Sequence, residues 1–196
     1  MRKRLETEIR REQIAEAALN IVSEEGVGGL TVRKVAKKVG FSAPALYRHF
    51  KNKSEILLAA MEEHFSSSFS LLAQALRLKT PLETLRSYYF GYMRLIHERH
   101  SAIRIFTSEF VMFCEPRLLE SAERFRDVMH NNLVRVIQEG QEIGLIRKDI
   151  GVEELYIHYL GIFITPDLLY SYKENFVDLD KQAESSWALF CDAVTV

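Results

Sequence analysis

The sequence predicts an all-helical protein. Apolar residues recur at intervals of three and four along most of the 196 residues, which is the spacing of one helical face. No stretch shows the sustained alternation of apolar and polar residues that indicates an exposed sheet. Because 47% of the residues are hydrophobic, the chain can build a packed core, in one large domain or in a small domain joined to a larger one.

The charge is divided unevenly between the two ends of the chain. Residues 1–60 carry 12 basic and 7 acidic side chains, and residues 61–196 carry 14 basic and 20 acidic ones. Residues 31–53 contain seven Lys or Arg and no Asp or Glu. The formal net charge of −1 hides this asymmetry, which predicts a head that lies on phosphate, attached to an acidic body.

Glycine residues set the bounds of the first elements. A first helix is predicted over residues 5–25, with Gly26 as its stop. Gly28 and Gly29 then allow the chain to turn. Thr31 is placed to cap a second helix that runs through residue 38.

A third short helix follows a glycine-containing turn. Gly40 ends the second helix, Ser42 is able to cap the third, and Pro44 lies in a first turn that needs no hydrogen-bond donor from it. Leu46 and Phe50 are predicted to point inward. Two short helices separated by a tight turn, under a basic surface without acidic residues, are typical of a helix-turn-helix unit.

A long fourth helix is predicted to join the head to the body without a flexible linker. Asn52, with Glu55 three residues later, is a capping pattern for a helix that begins at Lys53 and continues to about residue 76. The remaining helices are predicted over residues 82–99, 101–113, 117–143, 152–172 and 179–194. Pro166 is expected to bend the helix at 152–172.

The segment LTVRKVAKKVGFSAPALYRHFKNKSEIL at residues 30–57 closely resembles the DNA-binding region of TetR/AcrR-type transcriptional repressors. The matching features are the leading Thr31, the turn from Ala36 to Gly40, the L-Y-x-H-F run that ends at Phe50, and the K-N-K opening of the fourth helix. Residues 80–196 match that family only in length, helical content and general plan.

The resemblance implies a fold of about nine helices. An N-terminal three-helix helix-turn-helix DNA-binding domain, residues 1–53, would be joined by the long helix to a helical effector-binding and dimerisation domain, residues 54–196. It also implies a homodimer, typically a repressor that a small molecule releases from a palindromic operator. Twofold symmetry would present two recognition helices about 34–36 Å apart to successive major grooves of double-stranded DNA.

The resemblance also implies which residues contact DNA. Phosphate contacts are expected from Thr31, Tyr47, His49 and Lys53, and Lys34 belongs to the basic face. Base contacts are expected from Arg33, Ser42, Ala43, Pro44 and Ala45, with Arg48 able to reach the groove. Arg33 is the expected guanine contact, because the small residues of the third helix cannot form bidentate hydrogen bonds. For Tyr47 and His49, packing within the head is an alternative role.

Bulky side chains crowd the predicted body at helical spacing. Such a set can line a cavity for an apolar or aromatic ligand, and it can equally form a solid core. The resemblance favours the cavity, and with it a small organic effector of unknown identity. The expected lining residues are Phe69, Tyr88, Tyr92, Met93, Ile96, His97, Phe106, Phe110, Phe113, Phe125 and Met129.

The last two predicted helices carry more large apolar side chains than one buried face requires. Surplus apolar surface points to a partner subunit, and the resemblance implies a four-helix dimer interface built from these helices. The expected interface residues are Tyr159, Phe163, Tyr170, Ala183, Trp187 and Phe190.

Other functional classes find little support in the sequence. It has no phosphate-binding glycine loop, no G-x-S-x-G and no H-E-x-x-H, so we expect no enzyme. Cys114 and Cys191 lack metal-ligand spacing, so neither a metal nor a cofactor is expected. The longest apolar run is ILLAAM, so no membrane partner is expected and the protein should be cytoplasmic. The alternative function is non-specific DNA binding, or a helical interaction role, without effector control.

Overall fold

The computed structural model describes the backbone of residues 2–99, 105, 115–172 and 178–196, and the side chains of residues 8–97, 105, 115–169 and 178–196. Within these ranges the chain is all-helical, and its only extended pairing is one isolated bridge between Ile146 and Thr195. The predicted helix at 101–113 lies outside the described residues. The helices are α1 (Arg2–Gly29), α2 (Val32–Val39), α3 (Ala43–Leu46), α4 (Lys53–Ala75), α5 (Pro81–Arg99), α6 (Pro116–Glu142), α7 (Val152–Tyr172) and α8 (Leu179–Val194).

The chain divides into two compact units. Unit 1 comprises Met1–Ser66 and Arg99–Arg124, and unit 2 comprises Ser67–Glu98 and Phe125–Val196. Helices α4 and α6 therefore each contribute residues to both units. The domain boundary predicted at residue 53 does not coincide with the boundary between the two compact units. The reason is that the first part of α4, up to Ser66, belongs to unit 1.

Gly26 interrupts α1 as the sequence predicts. Its φ of 74° and ψ of 174° are non-helical and lie in a region that only glycine adopts readily. The chain then resumes one helical turn to Gly29, so the helix extends past the predicted bound. Gly29 needs no positive φ, but a Cβ there would clash with the Cβ of Glu25.

The core of unit 1 is built from the predicted inward faces. Ile14, Ala18, Ile21 and Val22 of α1 are buried, and so are Val35 and Ala36 of α2. Leu46 and Phe50 are buried as well, at 0% and 1% exposure. Because these side chains come from three consecutive helices and the turn that follows them, their burial fixes the angle between α2 and α3.

Unit 2 has a larger core that is rich in aromatic rings. Tyr88 and Tyr89 of α5, Tyr159 and Phe163 of α7 and Trp187 of α8 are buried together. Ring centroids lie 5.9 Å apart for Tyr89 and Trp187, and 5.5 Å apart for Tyr159 and Phe163. Aromatic pairs at this distance add to the hydrophobic stabilisation of the helix packing.

A tyrosine compensates for the proline inside α7. Pro166 has no N–H to give to the carbonyl of Ile162, four residues earlier in the helix. The Tyr89 hydroxyl donates to that carbonyl at 3.3 Å. Burial raises the pKa of Tyr89 to about 12, partly offset by a hydrogen bond with Ser186, so the phenol remains a donor. Helix α5 thus satisfies a backbone group that α7 cannot.

Candidate nucleic-acid interface

The helix-turn-helix is assembled by local capping interactions. Thr31 Oγ1 accepts the Lys34 backbone N–H at 3.2 Å at the start of α2, and Ser42 Oγ accepts from Ala45 at 3.3 Å at the start of α3. Between them Gly40 is left-handed, with φ 74° and ψ 27°. The predicted caps and the predicted turn are therefore confirmed.

The α3 helix is short, and the turn after it carries predicted contacts. It spans four residues and contains Pro44 in its first turn. Tyr47 is 54% exposed, so the ring is open to solvent rather than packed beneath α1. His49 is half-buried, and its ring stacks against Phe41 with centroids 6.3 Å apart.

The other predicted DNA-binding residues fall into two groups. The exposed ones are Thr31, Arg33, Lys34, Ser42, Pro44 and Arg48. The half-buried ones are Ala43, Ala45 and Lys53. All of them belong to unit 1, and the exposed group offers two guanidinium groups, one ammonium and two hydroxyls to a ligand.

Several lysines of the head have protein partners. Lys34 Nζ is paired with Glu25, and Lys38 Nζ with Glu24 at 3.1 Å. Lys53 Nζ donates to the Val27 carbonyl at 2.5 Å, and partial burial lowers the pKa of Lys53. The sequence does not reveal these pairings, because they join α1 to residues that follow it in the chain.

Sequence reasoning also missed an arginine that supports the surface. The Arg11 guanidinium lies 4.3 Å from the centroid of the Phe50 ring and donates to the His49 carbonyl at 2.7 Å. It therefore fixes the turn after α3 by stacking and by a hydrogen bond. A basic residue on the same helical face as Ile14 and Ala18, three and seven residues before them, was the available signal.

Most of the predicted effector-lining residues that are described lie together in unit 2. Tyr88, Tyr92, Met93, Ile96 and Met129 are buried in its core. Phe69 and Phe125 pack against that cluster with ring centroids 5.2 Å apart. His97 is exposed and is not part of the cluster. Phe106, Phe110 and Phe113 lie outside the described residues.

Polar groups are embedded in this aromatic cluster. Ser68 Oγ and the Tyr88 hydroxyl are hydrogen-bonded at 2.8 Å, and the Tyr92 hydroxyl donates to Asp167 Oδ2 at 3.4 Å. Burial, and then the nearby Asp167 carboxyl, raises the pKa of Tyr92 well above its usual value. Sequence reasoning missed Ser68 and Asp167. A carboxylate inside the apolar run ITPDLLY was the available signal.

The predicted interface residues mainly occupy the core of their own protomer. Tyr159, Phe163, Ala183, Trp187 and Phe190 are each at most 8% exposed, and the side chain of Tyr170 lies outside the described residues. These residues therefore pack within the core of unit 2. Another face of the same two helices stays exposed, and it includes Ile157, Gly161, Ile164, Ala188 and Leu189.

The described residues contain no group of three or more His, Cys, Asp or Glu side chains placed to hold a metal ion. None of the described helices combines the length and the apolar character that crossing a bilayer requires.

The head has the geometry of a helix-turn-helix protein, which belongs to the DNA-binding class. Residues 14–60 match the N-terminal domain model of the bacterial regulatory proteins of the tetR family. The HTH-type transcriptional repressor KstR2 of Mycolicibacterium smegmatis is 26% identical over 148 residues, which are 75% of this chain and 72% of that protein. Residues 14–60 thus form a tetR-family domain, and the chain as a whole is similar to TetR-type transcriptional regulators.

Solved structures share the fold. The ketosteroid transcriptional regulator KstR2 of Mycobacterium tuberculosis superimposes with a TM-score of 0.78 at 20% identity, covering 95% of each chain. AibR, in complex with isovaleryl coenzyme A and operator DNA, superimposes with a TM-score of 0.75 at 18% identity, covering 92% of this chain and 97% of that one. At these identities the similarity shows the fold alone.

Proposed function

We propose that the chain is a non-enzymatic, dimeric repressor that a small apolar or aromatic molecule releases from a palindromic operator. The observation that carries the proposal is the capped helix-turn-helix, whose exposed surface presents Arg33, Lys34 and Arg48. The related protein KstR2 is a transcriptional repressor, which supports repression over activation for this chain. The duplex it binds would place its action in the cytoplasm.

Base recognition would depend on few residues. Arg33 is exposed near the start of α2, and a guanidinium can donate two hydrogen bonds to the major-groove edge of guanine. The first turn of α3 offers small apolar side chains that favour thymine methyl groups. Replacing Arg33 by Ala should therefore weaken operator binding by about 1–3 kcal/mol and relax the preference at one base pair.

The lysines of the head would contribute affinity without sequence preference. The Lys34 and Lys38 side chains remain 46% and 36% exposed in their pairs with Glu25 and Glu24. Exposed ion pairs of this kind are worth at most about 1 kcal/mol, so a phosphate can replace the carboxylate at small cost. Binding should still weaken as the salt concentration rises, although less than the number of lysines alone predicts.

Dimerisation would use the exposed face of α7 and α8. Ile157 and Leu189 are 64% and 69% exposed, and Gly161 faces open space that would accommodate a close helix. Apolar and small residues at helical spacing are suited to a twofold interface with a second copy. The interface would thus lie on another face of the helices than the buried stripe around Trp187.

The dimer can be tested at the level of one side chain. Leu189→Lys should convert the protein to monomers in sedimentation measurements at micromolar concentration. Val128→Lys is the matched control, since Val128 is also exposed but lies on α6. An unchanged dimer in Leu189→Lys would reject this face.

The effector would bind within the aromatic cluster of unit 2. Burial of Tyr88, Tyr92 and Met129 provides apolar surroundings, and the hydrogen-bonded pairs Ser68–Tyr88 and Tyr92–Asp167 provide polar groups able to orient a ligand. AibR, which shares this fold, has been solved in complex with isovaleryl coenzyme A and operator DNA, and this supports an organic effector for the chain.

A selection from genomic fragments tests the whole function. Wild-type protein should retain one palindromic site against at least about a thousandfold excess of random duplex, and molecules extracted from the purified protein should release it. Equal retention of all duplexes would support the alternative of non-specific binding. That alternative is favoured by one feature, the absence of bidentate hydrogen-bonding side chains at Ala43, Pro44 and Ala45.

A further inference from the structure

A second cationic surface lies within unit 1. A groove of about 380 Å³ is lined by residues of α1, of the turn after α3, of α4 and of the start of α6. Arg11, Arg48, Lys51 and Arg117 are its basic side chains. Arg11 and Arg117 lie outside residues 14–60, which match the family's DNA-binding domain.

The acidic residues of the groove do not cancel this charge. Among the residues that the structure describes, Glu55 and Glu62 are the two that line it with carboxylates. The Glu55 carboxylate already accepts the Lys51 backbone N–H at 2.8 Å and so takes part in capping the N-terminus of α4. Four cationic side chains therefore face two carboxylates, one of which is engaged.

The groove is continuous with the expected DNA surface. Tyr47, Arg48 and His49 line it and are also predicted DNA contacts. Arg11 is held against them, because its guanidinium stacks on the buried Phe50 ring and donates to the His49 carbonyl. Arg117 is exposed in the first turn of α6 and completes the cationic side of the groove.

We propose that this groove receives a backbone phosphate of the DNA duplex, and that Arg117 is a phosphate contact supplied by a helix outside the helix-turn-helix. The proposal rests on the DNA-binding function proposed above. Guanidinium groups form bidentate hydrogen bonds with phosphate, and each neutralised phosphate releases counterions whatever the base sequence. The contact would lengthen the footprint without adding base specificity.

The test measures the salt dependence of binding to a 40-base-pair duplex of random sequence, for which no operator is needed. Arg117→Ala should lower the slope of log affinity against log salt by about 0.9 for each protomer bound. Arg117→Lys should retain most of the slope, since it keeps the charge. Arg124→Ala is the matched control, because Arg124 is an exposed arginine of the same helix and unit that does not line the groove.

Four outcomes are decisive. A reduced slope in Arg117→Ala, with wild-type slopes in Arg117→Lys and Arg124→Ala, supports the contact. Equal slopes in Arg117→Ala and wild type overturn it while DNA binding itself stands. Equal losses in Arg117→Ala and Arg124→Ala overturn it as well, because the effect is then one of general charge. Wild-type protein that binds no duplex at low salt overturns both this inference and the proposed function.

A free phosphate compound would present the same chemistry as the duplex. Inorganic pyrophosphate, added at constant ionic strength, separates the two sources. If pyrophosphate raises the melting temperature of wild type but not of Arg117→Ala, and DNA binding of that variant is unchanged, the groove binds a small phosphate compound and the duplex contact is refuted. If pyrophosphate has no effect while the salt slope falls, the duplex is the source.

Discussion

The hydrogen bond from Tyr89 to α7 makes a prediction that couples two helices. Tyr89→Phe removes the hydroxyl that donates to the Ile162 carbonyl and leaves the ring and its packing on Trp187 in place. Because Pro166 cannot supply the helical N–H, the carbonyl then loses its donor. We expect the free energy of unfolding to fall by about 1 kcal/mol, the usual net value of one hydrogen bond.

The same substitution should be nearly neutral in a Pro166→Ala background. Ala at position 166 restores the backbone N–H that bonds to Ile162 in a regular helix. The Tyr89 hydroxyl is then redundant. A double-mutant cycle should therefore give a coupling of about 0.5–1 kcal/mol between positions 89 and 166.

Urea unfolding followed by the fluorescence of Trp187 measures all four proteins, and Trp187 is the single tryptophan of the chain. Tyr159→Phe is the matched control. Its hydroxyl donates to the Leu85 carbonyl at 2.7 Å, and α5 has no proline four residues after Leu85. Its loss should be independent of Pro166. An equal loss for Tyr89→Phe in both backgrounds would refute the assignment of the freed carbonyl to Tyr89.

Three further predictions concern pH and backbone conformation. Burial lowers the pKa of His64 to about 4, so stability should fall by up to about 3 kcal/mol as the pH drops from 6.5 to 4; His64→Gln should flatten this dependence in urea unfolding. A hydrogen bond to Glu153 raises the pKa of His130, so its stabilisation is present below pH 6.5 and lost as the pH rises. Because the pair is exposed, His130→Gln should cost under about 1 kcal/mol at pH 5.5 and nothing at pH 9, by thermal melting. Gly40→Ala, at a φ of 74° with open space around a Cβ, should cost about 1 kcal/mol through backbone strain alone; an unchanged melting temperature would contradict this.

The capped head could be predicted from the sequence because its signals are local. Thr31 and Ser42 accept hydrogen bonds from residues three positions later, and Asn52 does the same for Glu55 at 2.9 Å. Gly26 stops the regular part of α1 through its own backbone conformation. Each of these interactions needs only a few consecutive residues, so no knowledge of the tertiary fold is required.

The distant pairings could not be predicted. An apolar stripe such as that around Trp187 has the same periodicity whether it faces its own core or a partner. The sequence therefore did not distinguish it from the exposed face around Leu189. The burial of Asp167 beside Tyr92 depends on how α5 and α7 pack, over a separation of 75 residues. The same applies to the attachment of Arg11 to the turn after α3.

The glutamates at the end of α1 bear on how the protein would search for its site. Glu24 and Glu25 act as tethered counterions for Lys38 and Lys34, so part of the head is neutralised before any duplex arrives. A bound phosphate replaces a carboxylate there instead of a dissolved anion. The response to salt should be shallower than the number of lysines suggests, and the protein should leave unrelated sequences more quickly.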